Sequence, residues 1–162
     1  MTKIDGIFAP TVRGTFYGAI NPQFREFALA GPRSAGRYSR AHEPTLYLSS
    51  SVEGVEAAMV AHKDARSEAL EIIEIDVEAC RIVDLRDADA VNALGIDLAH
   101  AIAPWQEIVA AGGTPSSWSV RDRLLEAGAN GLIDPSRKNP GLRHLVLFRW
   151  NETDAPTVRI AT

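Results

Sequence analysis

The sequence predicts an α+β fold, in which mixed sheets are flanked by helices. Two observations lead to this class. Segments rich in β-branched and aromatic residues lie near both ends of the chain, at Thr11–Ile20 and Pro156–Ala161. Between them, stretches with helical spacing alternate with short apolar runs. No internal repeat or linker divides the chain, so we expect one domain over residues 1–162.

The N-terminal part of the chain contains two predicted strands joined by a long loop. Thr11–Ile20 forms the first strand, and Asn21-Pro22 ends it. Thr45–Ser49 forms the second strand. The connection over residues 21–44 has no strand or helix pattern and carries several arginines. Loops of this length are uncommon in compact domains and often have a function.

A helix is predicted directly after the second strand. Ser51 can cap it, because its hydroxyl can accept a hydrogen bond from an N–H group of the first turn. Val52, Val55, Met59 and His62 recur at helical spacing, which puts them on one face of this helix. Because its neighbours on this face are apolar, His62 is predicted to be a core residue rather than a metal ligand.

The remaining chain alternates between helix and strand signals. Glycines mark the helix ends, and Thr114-Pro115 marks a helix start. The predicted helices are Asp87–Leu94, Asp97–Ala111 with a break at Pro104, and Thr114–Ala127. The predicted strands are Leu70–Val77, Arg81–Leu85, Ala129–Asp134, a central strand His144–Trp150 and an edge strand Pro156–Ala161.

Composition and charge exclude several classes of protein. The net charge of −4 and the pI near 5.6 argue against direct nucleic-acid binding through bulk charge. The single cysteine, Cys80, excludes an internal disulfide and fits a reducing compartment, and its apolar neighbours predict a buried side chain. No apolar run approaches the roughly 20 residues of a membrane span, and the N-terminus lacks a signal peptide. We therefore expect a cytoplasmic protein without a membrane partner.

Several common chemical motifs are absent from the sequence. Neither G-x-G-x-x-G nor G-x-x-x-x-G-K-[ST] occurs, so a Rossmann or P-loop nucleotide site is not indicated. The G-x-S-x-G motif of serine hydrolases is also missing. The histidines are scattered without metal-ligand spacing, and a lone cysteine cannot form a zinc pair. We therefore expect no bound metal.

Three motifs stand in order along the chain. Gly36-Arg37-Tyr38 forms a glycine–arginine–aromatic loop, and Leu46-Tyr47 follows in the next strand, before the helix that ends at His62. Further on, Gly131–Ser136 has the pattern Gly-apolar-x-x-Pro-Ser and precedes the apolar strand Leu145–Phe148. This ordered set spans nearly the whole chain and resembles the RES domain family, whose members are toxins of bacterial toxin–antitoxin pairs.

The resemblance implies a fold and an activity. RES proteins share the fold of ADP-ribosyltransferases and act on NAD, which is a substrate rather than a bound cofactor. Some members split NAD, and others transfer ADP-ribose to a protein, in one case an enzyme that makes phosphoribosyl pyrophosphate. The resemblance therefore implies a mono-ADP-ribosyltransferase with a protein acceptor, or alternatively an NAD glycohydrolase or phosphorylase. A partner-binding module without catalytic activity is the third hypothesis.

The resemblance also implies the site residues and a partner. Arg37 would bind the pyrophosphate of NAD, because arginine grips oxyanions with a planar fork, and Tyr47 would offer its ring to nicotinamide. The implied NAD-binding residues are Arg37, Tyr47, Tyr38, Arg33, Arg40 and His62, and the implied catalytic residues are Glu56, Glu53, Ser136 and Arg37. A cognate antitoxin is expected to cover this site.

The sequence departs from the family pattern at two positions. Gly18 stands where the family usually has an arginine after the aromatic residue of the first strand. Ala58 stands where the family usually has a glutamate, four residues before the helix histidine. A carboxylate is needed to stabilise the positive charge that develops on the ribose. Glu56, and after it Glu53, is the candidate to supply that carboxylate from the same helix.

Overall fold

A computed structural model describes residues 6–20, 22–31, 34–53, 55, 71–135 and 143–161. Within them the chain forms a seven-stranded sheet with helices, which confirms the predicted α+β class. The strands are β1 (Val12–Ile20), β2 (Leu46–Ser49), β3 (Glu71–Ala79), β4 (Ile82–Asp84), β5 (Gly131–Pro135), β6 (Arg143–Leu147) and β7 (Thr157–Ile160). The helices are α1 (Ala88–Leu94), α2 (Leu98–Ile102), α3 (Gln106–Ala110) and α4 (Ser117–Glu126).

The sheet has the spatial order β4-β5-β6-β2-β1-β3-β7. Only β4 and β5 pair in parallel among the described strands, and the other neighbours are antiparallel. A parallel pair needs a long crossover between its strands. Here the crossover is the stretch between Asp84 and Gly131, which contains all four labelled helices. These four helices therefore belong to one continuous segment of the chain, which leaves the sheet at the edge strand β4 and returns to it at β5.

Each face of the sheet has its own apolar cluster. On one face, Leu132 and Val146 pack with residues of the helical layer, among them Val91 and Leu124. On the other face, Ile75, Leu145 and other strand residues form a second cluster, partly covered by Leu29 and Trp150. Side chains alternate between the faces along each strand. Tyr47 of β2 lies on the face of the sheet that carries the helices.

The two ends of α1 follow the predicted signals, whereas α4 begins at Ser117, three residues after the predicted start at Thr114. Asp87 caps α1, because its side chain accepts a hydrogen bond from the Asp89 N–H at 3.0 Å. Gly95 ends α1 with φ of 67°, a left-handed conformation that suits glycine. The predicted helix over Asp97–Ala111 is two short helices, α2 and α3. Ala103 is extended there, with φ −63° and ψ 152°, because the following proline disfavours a helical residue before it.

Three expectations differ from the structure. The loop over residues 21–44 is not wholly irregular, because Pro22–Phe27 forms a 3-10 helix. The strand predicted to reach Trp150 ends at Leu147, where the chain bends at Phe148. Cys80 is exposed rather than buried, because it lies in the turn between β3 and β4 instead of inside a strand. No helix among the described residues is long and apolar enough to cross a membrane.

Candidate functional site

The predicted Gly36-Arg37-Tyr38 segment is a tight turn that Tyr47 holds from β2. Gly36 and Ser39 exchange backbone hydrogen bonds, at 2.9 Å and 3.3 Å. The Tyr47 hydroxyl accepts a hydrogen bond from the Tyr38 N–H at 3.0 Å and shares a second with Ser39 Oγ at 2.7 Å. Burial is the main cause that raises the pKa of Tyr47, so the hydroxyl stays protonated at neutral pH. The side chain of Tyr47 therefore serves as a fixed polar anchor beneath the turn.

Helix α4 holds the same turn from the opposite side. Trp118 Nε1 donates a hydrogen bond to the Gly36 carbonyl at 2.9 Å, and the Ser117 hydroxyl donates to the Arg37 carbonyl. Three consecutive carbonyls of the turn face α4, the third being that of Tyr38. A turn bound from two elements can present the Arg37 side chain in one orientation.

The third carbonyl is bound by Arg121, the central cation of this region. Arg121 is 3% exposed, and its guanidinium donates to the Tyr38 and Pro44 carbonyls, each at 3.0 Å, and to the Thr45 hydroxyl. The guanidinium also lies over the Phe148 ring, 4.7 Å from its centroid. Burial lowers the pKa of Arg121, but arginine starts so high that the group remains charged. Arg121 thus ties both ends of the loop over residues 36–45 to α4.

Arg40 closes the outer side of this loop. Its guanidinium makes a two-pronged contact with Asp122, at 3.0 Å and 2.9 Å, and lies 5.3 Å from the Trp118 ring centroid. The hydrogen bond from Arg40 is the main cause that lowers the pKa of Asp122. The Arg40 N–H and guanidinium also contact the Glu43 carboxylate. Arg40, predicted to help bind NAD, is thus engaged with carboxylates of its own chain.

Arg37, the central predicted residue, points toward the end of α2. Its Nη1 donates to the Ala101 carbonyl at 2.9 Å and to the Ala103 carbonyl at 2.8 Å. The residue is half-buried. Both of these acceptors are neutral, so they orient the guanidinium without cancelling its charge. Tyr38, another predicted residue, is 1% exposed and belongs to the apolar cluster under the helices.

The sheet beside Tyr47 carries polar residues that the sequence did not single out. Ser49 Oγ and His144 Nδ1 are 2.9 Å apart across β2 and β6. Asp134 lies directly opposite His144 on β5. Residues opposite each other in a sheet share a face, so Ser49, His144 and Asp134 form one line across three strands, the polar row. Only the strand register brings these residues together, and no local pattern reveals it.

The predicted helix begins where the sequence placed it. Residues 52, 53 and 55 are helical, and the Val55 N–H donates to the Ser51 carbonyl at 3.3 Å. Val55 is 4% exposed and Glu53 is exposed. The remaining predicted site residues, Glu56, His62, Arg33 and Ser136, lie outside the described residues. No group of histidine, cysteine or carboxylate side chains in the described part of the chain is arranged to hold a metal ion.

Comparisons with known proteins agree with the motifs. A family model described as "RES domain" matches residues 8–162. A chain in the crystal structure of the M. tuberculosis MbcT–MbcA toxin–antitoxin complex has a similar fold, with a TM-score of 0.63 at 17% sequence identity. The alignment covers 99% of this chain and 91% of that chain. A comparison with curated proteins gives no match.

The contact between Gly36 and Tyr47 can be tested by a double-mutant cycle. A Cβ atom at Gly36 would lie 2.5 Å from the Tyr47 hydroxyl oxygen, so Gly36→Ala should destabilise the fold by about 1–3 kcal/mol. Tyr47→Phe removes that oxygen and costs about 1 kcal/mol of hydrogen bonding. In the double variant this oxygen is absent and the clash with it is relieved. The double variant should therefore lose less stability than the sum of the losses in the two single variants. Urea unfolding of the four proteins measures this, and strict additivity would contradict the contact.

Proposed function

Because the chain belongs to the RES domain family, we propose that it is the toxin of a toxin–antitoxin pair and an enzyme that acts on NAD. Its reaction is the transfer of one ADP-ribose to a target protein, with release of nicotinamide. The observation that carries the proposal is the Gly36-Arg37-Tyr38 turn. It is held by Tyr47, Trp118 and Arg121 and directs an arginine of fixed orientation toward the helical layer.

Arg37 has the chemistry that a pyrophosphate requires. A guanidinium binds phosphate oxygens through two parallel N–H groups. The binding is strongest when the guanidinium is already held in the required orientation. The Ala101 and Ala103 carbonyls supply that orientation. Arg33 and Arg40 are the candidates for a second phosphate contact, and Arg40 would exchange its pairing with Asp122 and Glu43 for it. The role of Arg37 is therefore to bind the phosphates.

Tyr38, Tyr47 and His62 complete the proposed NAD site, and each has a supporting role. The Tyr47 hydroxyl fixes the turn, and its ring would offer an aromatic face to nicotinamide. Tyr38 packs beneath the turn and keeps it in place. His62 would contact the substrate from the helix that begins after β2. Ser136 would donate a hydrogen bond to the ribose or to the nicotinamide amide.

The reaction needs a carboxylate near the ribose. Cleavage of the bond between nicotinamide and ribose develops positive charge on the sugar, as in glycoside hydrolysis. A carboxylate aimed at that charge stabilises the transition state more than the ground state. Glu56 is the first choice, and Glu53 is the second, because Ala58 cannot supply the group.

Incubation of the purified protein with NAD labelled in its adenylate part tests the proposed function. Label on an acceptor protein from a cell extract supports transfer of ADP-ribose. Free ADP-ribose, or its phosphate ester, would instead identify a glycohydrolase or a phosphorylase. A folded protein that leaves NAD intact in the presence of extract would identify a module without catalytic activity.

Arg37→Ala should abolish NAD consumption while the fold survives. The variant removes the proposed phosphate contact and two hydrogen bonds to carbonyl groups. Arg37→Lys should also lose most activity, because a point charge does not replace a two-pronged fork. Turnover and circular dichroism should be measured together. Arg13→Ala, an exposed arginine paired with Glu78 on the sheet, is the matched control and should keep full activity. Wild-type turnover by a folded Arg37→Ala variant would contradict the assignment.

Glu56→Gln should slow the reaction more than Glu53→Gln. Glutamine keeps the size of the side chain and removes its charge. The expected loss for the true catalytic carboxylate is at least about tenfold, or roughly 1.4 kcal/mol of barrier. Glu107→Gln, on the exposed surface of α3, is the control. If both helix variants keep their turnover, the carboxylate comes from elsewhere in the chain.

Coexpression with the neighbouring gene tests the proposed antitoxin. We expect the chain to arrest growth when expressed alone and to be harmless when its genomic neighbour is expressed with it. The antitoxin should cover the cleft beside Arg37 and Tyr47, so the complex should not bind NAD. Harmless expression of a well-folded chain would count against a toxin. If the complex binds NAD with the same affinity as the free chain, the antitoxin does not block the NAD site.

A further inference from the structure

The polar row has the composition of a proton-transfer element. A hydroxyl, an imidazole and a carboxylate stand side by side on β2, β6 and β5, and the first two are joined at 2.9 Å. Ser49 is 4% exposed and Asp134 is 9% exposed, whereas His144 is partly accessible. In such arrangements the carboxylate and the hydroxyl hold an imidazole in one orientation, and the imidazole takes up a proton.

The polar row also lies beside the proposed NAD site. Tyr47 precedes Ser49 by two residues on β2 and therefore shares its face of the sheet. Ser136 follows Asp134 by two residues in the sequence. The end of β2 is further fixed to β6, because the Ser50 hydroxyl accepts from the Arg143 N–H at 3.1 Å and the Ser50 N–H donates to the Arg143 carbonyl at 2.9 Å.

We propose that His144 is the general base of the reaction and that Ser49 and Asp134 are its positioning residues. The inference rests on the proposed function. The bond between nicotinamide and the ribose carbon breaks, and its electron pair leaves with nicotinamide. A lone pair of the acceptor, a hydroxyl or amine of the target protein, forms the new bond to that carbon. The proton of the acceptor passes to the imidazole of His144, which becomes an imidazolium opposite Asp134.

The surroundings of His144 set the direction of its pH dependence. Asp134 faces it from β5, and Tyr17 faces Ser49 from β1. Arg143, the preceding residue of β6, lies on the other face of the sheet because side chains alternate along a strand. Asp134 places a carboxylate on the strand beside the imidazole, where it would balance the charge of the imidazolium formed in the reaction. A general base acts in its neutral form, so turnover should rise with pH as the imidazole loses its proton.

His144→Asn separates the catalytic role from a structural one. An asparagine amide can keep a hydrogen bond to Ser49 but cannot take up a proton in this pH range. We expect kcat near pH 8 to fall by about 100-fold, within the usual range for loss of a general base. The KM for NAD should stay within about threefold, and the rise of kcat with pH should disappear. His100→Asn, an exposed histidine of α2, should keep the wild-type profile. His144→Gln replaces His144→Asn if the latter does not fold.

Asp134→Asn and Ser49→Ala test the positioning roles. Asp134→Asn should shift the inflection of kcat to lower pH and should lower the pKa of His144, which NMR titration measures without any substrate. Ser49→Ala should lower kcat and change the KM for NAD much less.

An unchanged His144 pKa in Asp134→Asn would overturn the role of Asp134. Wild-type kcat and pH profile in a folded His144→Asn variant, with NAD consumed by the wild type, would overturn the role of His144 alone. Failure of the wild type to consume NAD would overturn the proposed function and this role together.

Discussion

The buried guanidinium of Arg121 is the interaction on which the candidate site depends. It binds the Tyr38 and Pro44 carbonyls and the Thr45 hydroxyl, which lie at opposite ends of one loop. Burial of an ion is costly unless its donors find acceptors, and a charged donor left unpaired would be more costly still. The loop over residues 36–45 and helix α4 therefore adopt one mutual arrangement. The orientation of Arg37, the packing of Trp118 and the pairing of Arg40 with Asp122 all follow from it.

Much of the fold was accessible from the sequence because its signals are local. The caps of α1, the break before Pro104 and the start of the helix after β2 depend on residues that are neighbours in sequence. The predicted strands are also present, since β-branched and apolar runs mark them, although β6 ends earlier than predicted. The exposed Cys80 was predicted wrongly, because an apolar neighbourhood in sequence does not reveal a turn. The burial of Arg121 was not predicted either, since its polar partners lie about 80 positions earlier in the chain.

The candidate site was accessible only in part. The sequence assigned the glycine–arginine–tyrosine motif to a loop, and the structure shows that this loop is a tight turn held by Tyr47. The partners of that turn on α2 and α4 could not be read from the sequence, and neither could the polar row. These contacts depend on how strands and helices register against one another in space. Such registers are set by the two apolar clusters of the sheet rather than by any short pattern of residues.

The long separation between the arginine turn and its partners has a consequence for the protein as it is made. The turn donates hydrogen bonds to, or accepts them from, residues 64 to 83 positions further along the chain. Chains emerge from the ribosome with the N-terminus first, and domains generally fold as units. Helix α4 must therefore be synthesised before the turn can be held in place. A growing chain therefore has no assembled arginine turn until most of its length exists, and the turn takes up its final arrangement late in synthesis.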